Sequence, residues 1–216
     1  MFKHETQVIK FLLQWYSMNA RKLPWRKKNN LNLPHPYFVF VSEYMLQQTT
    51  VNTVKNKFND FILKWPSLNK LAQTSEPNIL KFWSGLGYYS RARNLLKSAK
   101  IIHKNFKNNI PKTYDELIQL PGIGDYTAKA ILGIGYNKSV MPLDANIERI
   151  LVRLHAIDKP INKVKNKLKD LGKKFISDKN SSNLIQSFMD YGSEICLPRN
   201  PKCNICGINK FCQSYK

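Results

Sequence analysis

A chain of 216 residues with 43% hydrophobic content carries enough apolar side chain for one large domain or two small lobes, which excludes a disordered tail. Its 35 Lys and Arg against 14 Asp and Glu leave a net charge of +21 spread along the chain, a balance that points to nucleic acid as the partner. The longest purely apolar run, Tyr37–Val41, is far short of the roughly 20 residues a spanning helix needs, so no membrane partner is expected.

The N-terminus repeats Val8, Phe11, Leu12 and Trp15 at helical spacing, and Glu5 and Gln7 interrupt any signal-peptide core. After Pro34 and Pro36, the stretch SEYMLQQT (42–49) is expected to open a helix that continues through Val51, Val54, Phe58, Phe61 and Ile62. Glu43, in the expected first turn, either complements the helix dipole or serves as an acid. Gln47 and Gln48 either face water or pair with base edges. At Trp83–Arg93 a Gly-x-Gly loop precedes another helix. Its Tyr88 or Tyr89 suits stacking or wedging, and Arg91 and Arg93 suit phosphate.

Tyr88, Ala92, Leu95, Ala99 and Ile102 mark the next apolar face. Thr113 to Glu116 has the form of a capping box for a short helix that ends at the Leu120–Pro121 turn. Gly122 and Gly124 follow, opening a helix of small residues. Such a turn offers backbone N–H groups to an anion, or merely joins two helices. Asp144, ahead of Ile147, Ile150, Leu151 and Leu154, is an N-cap or an acid with chemistry to do. Val164, Leu168, Leu171 and Phe175 form a further face. The Lys-rich stretches 22–28, 97–107 and 163–174 read as solvated helix surfaces that add to a long-range field. Clean alternation is lacking throughout, so the expected fold is all-α, with about ten short helices.

All four cysteines fall within seventeen residues, Cys196, Cys203, Cys206 and Cys212, spaced C-x6-C-x2-C-x5-C. Thiols so close in a reducing compartment read as metal ligands rather than disulfides. Tetrahedral zinc and an iron–sulfur cluster both accept four thiolates, and spacing leaves both open.

With these residues in view, the chain resembles the helix-hairpin-helix superfamily of base-excision DNA glycosylases, which includes endonuclease III, and within it the adenine DNA glycosylases. The motifs that carry the resemblance are SEYMLQQT (42–49), GLGYYSRARNL (85–95), LPGIGDYTAKAI (120–131), LDANIERIL (143–151) and the four cysteines. The likeness runs from Trp15 to Cys212 and implies two helical lobes. One is a six-helix barrel-like domain over 26–137 with its helix-hairpin-helix at about 114–135. The other, 1–25 plus 138–216, would carry a [4Fe-4S] cluster on Cys196, Cys203, Cys206 and Cys212.

The resemblance further implies removal of adenine mispaired with 8-oxoguanine or guanine in double-stranded DNA. The hairpin amides at Gly122 and Gly124 would hold a phosphate. Glu43 would protonate the flipped adenine and Asp144 would stay ionised beside the cationic sugar. Tyr88, with Gln47 or Gln48, would fill and probe the gap. Tyr126 stands where bifunctional relatives carry a Schiff-base lysine, which implies base release without strand cleavage. Adenine glycosylases usually carry a further C-terminal domain that recognises 8-oxoguanine. This sequence ends four residues after Cys212, so either a shortened member or a weak lesion preference is expected. Two alternatives remain: a thymine or uracil glycosylase acting opposite guanine, and a non-catalytic DNA-binding scaffold. A monomer in the bacterial cytoplasm, at the nucleoid, is expected.

Overall fold

The computed structural model describes residues 4–176 and 179–215. Among these residues every regular element is helical, apart from an isolated bridge between Lys28 and Pro34. No described helix is long and apolar enough to cross a membrane. The chain divides into two compact units, Met1–Arg21 with Asn137–Lys216, and Lys22–Tyr136.

The first unit opens with α1 (Glu5–Asn19). The second holds α2 (Pro36–Leu46), α3 (Val51–Lys64), α4 (Leu68–Ala72), α5 (Glu76–Trp83), α6 (Ser90–Phe106), α7 (Tyr114–Ile118) and α8 (Asp125–Ala130), which runs on into a π-helical turn at Ile131–Gly135. The chain then returns to the first unit as α9 (Ala145–Leu154), α10 (Lys165–Lys173) and α11 (Ser181–Glu194).

In the Lys22–Tyr136 unit the helix starts follow from side-chain caps. Thr50, Ser67, Ser75 and Thr113 each accept a backbone N–H from the first turn of α3, α4, α5 and α7. At the expected capping box the Thr113 hydroxyl accepts from Glu116 N–H at 3.4 Å and donates to Glu116 Oε2 at 2.6 Å. At the centre stands α2, buried on every side through Tyr37, Val39, Phe40, Val41, Tyr44 and Met45. It packs on α3, α6 and the Ile131–Gly135 turn.

One expectation changes here. The helix that carries Glu43 begins at Pro36, already set for a first turn by its fixed φ. It stops at Leu46, and α3 starts afresh at Val51. Glu43 therefore lies in the last turn of a helix rather than the first.

In the other unit α11 packs on α1 and α9, and α10 packs on α9. Tyr191 meets Phe11 and Trp15 edge-on, with ring centroids 5.8 and 5.0 Å apart. Val164, Leu168, Leu171 and Phe175 are all buried, as their spacing predicts. The fully buried Asp190 carboxylate accepts from Arg21 Nε at 2.6 Å and from its backbone N–H at 3.0 Å. That bond pins the chain just after α1.

Candidate functional site

The hairpin turn is built by residues far from it in sequence. Gly122 adopts φ +81°, and a Cβ there would stand 3.0 Å from Asn94 and from the Tyr44 ring. Glycine is required at this position. The carbonyl of Pro121 accepts from the hydroxyls of Tyr44 at 2.5 Å and Ser98 at 3.0 Å, both buried. Burial drives the Tyr44 phenol well above its usual range, so it remains a donor. Gly124 differs: its φ is negative and a Cβ there would meet open space. It serves as the N-cap of α8 and, being glycine, supplies no side-chain cap. Asp125 would repel an anion there, but Tyr114 Oη donates to it at 2.9 Å and Lys129 Nζ lies 2.8 Å away. Tyr126 is half-buried on the same short helix.

Glu43 is 7% exposed on α2, one turn before its end. Gln47 follows as C-cap and donates through Nε2 to the Gly122 carbonyl at 3.1 Å. One helix thus carries the acid and grips the hairpin. Gln48 and Tyr88 are exposed, Tyr88 at 62%, and both sit in the left-handed region with φ of 56° and 45°. Tyr89 is also exposed.

Arg91 is placed differently from the expectation of a phosphate contact. It is 5% exposed. Nη1 donates to the carbonyls of Tyr44, Met45 and Gln47, and Nη2 to Thr49 Oγ1 and the carbonyls of Leu86 and Gly87. With both Nη groups taken by protein acceptors and Nε buried, the guanidinium presents no exposed donor to DNA. Arg93 pairs with Glu76 at 2.8 Å on the surface.

Asp144 lies in the other unit, as the N-cap of α9. Its Oδ1 accepts from Ile147 N–H at 2.7 Å and its Oδ2 from Asn146 Nδ2 at 3.0 Å. Burial raises its carboxyl above the ordinary Asp value, opposed by these hydrogen bonds and by the Arg149 charge. The N-cap reading of Asp144 is observed, and the cap bond orients its carboxylate.

The four cysteines are free thiols that line one cavity of about 120 Å³, walled by Ile150, Leu154, Ile195 and Ile208. Two sulfurs are held by neighbours: Arg153 Nη1 donates to Cys196 Sγ at 3.3 Å, and Tyr191 Oη to Cys206 Sγ at 3.3 Å. Among the described residues, no three Cys, His, Asp or Glu side chains converge tightly enough to hold a metal ion. The four thiols lining this apolar cavity, two of them met by sulfur-directed donors, are ligands of the kind that zinc and iron–sulfur clusters both accept. Arg149, Arg153 and Tyr191 were not singled out from the sequence. The i, i+4 spacing of the two arginines on α9 was the available signal.

Comparison with known proteins fits this geometry. Residues 41–174 match the model of the HhH-GPD superfamily base excision DNA repair proteins. Adenine DNA glycosylase of Buchnera aphidicola (subsp. Schizaphis graminum) is 42% identical over 95% of this chain and 58% of its own length. The Homo sapiens adenine DNA glycosylase is 35% identical over 99% of this chain and 41% of its own. The chain therefore spans about half the length of these curated relatives. A thermostable thymine-DNA glycosylase superposes with a TM-score of 0.88 at 25% identity, over 99% of this chain and 97% of that one. Hairpin, capped aspartate and family match agree: this chain belongs to the HhH-GPD superfamily of base excision DNA repair proteins.

Proposed function

We propose that the chain is a monofunctional adenine DNA glycosylase, acting on double-stranded DNA in which adenine is mispaired with 8-oxoguanine or guanine. The observation that carries this reading is α2, which bears the buried acid Glu43 and ends on the glutamine that grips the hairpin turn. The identities to adenine glycosylases support the choice of base.

Breaking the N-glycosidic bond sends its electron pair to the base and leaves oxocarbenium character on the sugar. Glu43 gives its proton to adenine and then takes one from the attacking water. As general acid, Glu43 must carry its proton until the base is in place. Asp144 meets the sugar cation as a carboxylate, oriented by Ile147 and Asn146. Tyr126 offers no amine for a Schiff base, so the reaction stops at base release. Extruding the base leaves a gap for Tyr88 and Gln48 to fill. The α8 amides at the hairpin, with Gly122 and Gly124 keeping the approach open, hold a backbone phosphate.

Cys196, Cys203, Cys206 and Cys212 would hold a [4Fe-4S] cluster. When bound, the cluster cross-links the 196–212 loop, and hydrolysis of a glycosidic bond draws no electron from it. Lys22–Tyr136 serves as the barrel-like domain and the other unit as the cluster domain. The setting is the nucleoid in the cytoplasm, and the enzyme works as a monomer.

A second reading, thymine or uracil release opposite guanine, is favoured by the backbone match to a thymine-DNA glycosylase. Single-turnover base release on duplexes carrying A:8-oxoguanine, A:G, T:G and U:G tests both. Adenine release alone supports the proposal, and faster thymine or uracil release replaces it with the second reading.

A further inference from the structure

We infer that Arg91 is a positioning residue that fastens the Gln47–Thr49 turn and the Leu86–Tyr88 loop into one rigid DNA-reading element, so that Gln48 and Tyr88 enter the duplex in register. What the element reads rests on the glycosylase reading above. That it is one element rests on the contacts of Arg91 alone.

Arg91 occupies an unfavourable place. It is the second residue of α6, where a cation opposes the helix dipole, and it is almost fully buried. No carboxylate is among its partners, and its Nε makes no hydrogen bond. Burial accordingly lowers its affinity for the proton. A cation persists in such a place only when its surroundings compensate it. Its hydrogen bonds go to two segments: Nη1 reaches the end of α2 and its turn, and Nη2 joins Thr49 Oγ1 at 2.8 Å to Leu86 O at 2.7 Å and Gly87 O at 3.0 Å. Thr49 Oγ1 itself donates to Leu86 O at 3.2 Å, completing the junction.

The two exposed tips both need holding. Gln48 and Tyr88 are non-glycine residues in left-handed backbone, which costs free energy that neighbouring contacts must offset. The guanidinium lies 5.6 Å from the Tyr88 ring centroid and 5.6 Å from that of Trp83, so it also orients the wedge by cation–π attraction. Gln47 extends the same assembly to the hairpin at Gly122. The two Nη groups of a planar fork reach all these acceptors from separate atoms, whereas a lysine ammonium has its three donors on a single atom.

The test combines hydrogen–deuterium exchange with base release in Arg91→Lys and in the milder Thr49→Val. Exchange in peptides covering 46–49 and 86–89 is expected to accelerate together, with α3 unchanged. Saturated base release is expected to fall about tenfold or more while intact-duplex affinity stays within about threefold. Thr49→Val, which leaves the guanidinium in place, carries the test if Arg91→Lys does not fold. Loosening of one segment without the other overturns the proposal. So does loss of base release no greater than loss of duplex affinity. If the wild-type chain releases no base while both segments still loosen together, the clamp stands and the glycosylase reading falls.

Discussion

The Asp144 carboxylate and the Cys196 backbone are joined by an unbroken hydrogen-bond relay. Asn146 Nδ2 donates to Asp144 Oδ2 at 3.0 Å, Arg149 Nη2 to Asn146 Oδ1 at 2.8 Å, and Arg149 Nε to the Cys196 carbonyl at 2.7 Å. Arg149→Gln removes the charged middle of this relay. Bonds to charged groups contribute about 1.5–3 kcal/mol, so base release is expected to fall by about 10- to 100-fold. Iron bound per protein should fall in the same preparation. Measuring both checks whether the acid and the cysteine loop are held by one support.

Asp144→Asn is expected to separate stability from activity. Burial raises the folded-state value of the Asp144 carboxyl, so the native chain holds this proton more tightly than the unfolded one. Stability then falls as pH rises through the Asp range, and at neutral pH the buried charge is a net cost. Asparagine removes that charge and can still accept from Ile147. Its amide NH2 cannot also accept from Asn146 Nδ2, so the variant's melting temperature relative to wild type is expected to rise as pH rises through the Asp range. Base release should fall at least about 100-fold. Thermal melts at several pH values, beside single-turnover assays, check both signs.

The two hairpin glycines are expected to differ. Gly122→Ala forces a Cβ against Asn94 and Tyr44 in left-handed backbone, with an expected loss of about 1–3 kcal/mol. Gly124→Ala points into open space at a negative φ and should change stability by no more than about 0.5 kcal/mol. Denaturant titrations of the two variants give the comparison.

Net charge of +21 makes duplex affinity steeply salt-dependent. If six or more phosphates are neutralised, the affinity should drop about 1,000-fold or more between 50 and 200 mM salt. Fluorescence anisotropy over that range checks it, and a flat response contradicts the electrostatic part of the account.

What was legible in the sequence followed local rules. Val54, Phe58 and Phe61 are buried on one face of α3, Thr113 caps α7, and Asp144 caps α9. What was not legible is set by tertiary contacts. No Gly or Pro stands between Met45 and Val51, and the local sign of the break at Gln47 is Thr50, a threonine able to cap a new helix. Arg91, forty-four residues away, holds that turn. Its burial is equally unreadable, because a run of Arg-Ala-Arg looks like surface until its carbonyl acceptors are assembled. Tyr44 and Ser98 support Pro121 through the same kind of remote contact.

The central claim is that buried Glu43 is the acid that releases adenine. Glu43→Gln keeps the size and hydrogen-bonding capacity of the side chain but has no acidic proton to give. Single-turnover adenine release from A:8-oxoguanine and A:G duplexes, measured beside duplex binding, tests the claim most directly. The expected result is base release reduced by about 100-fold or more with binding retained. Adenine release at the wild-type rate would contradict it.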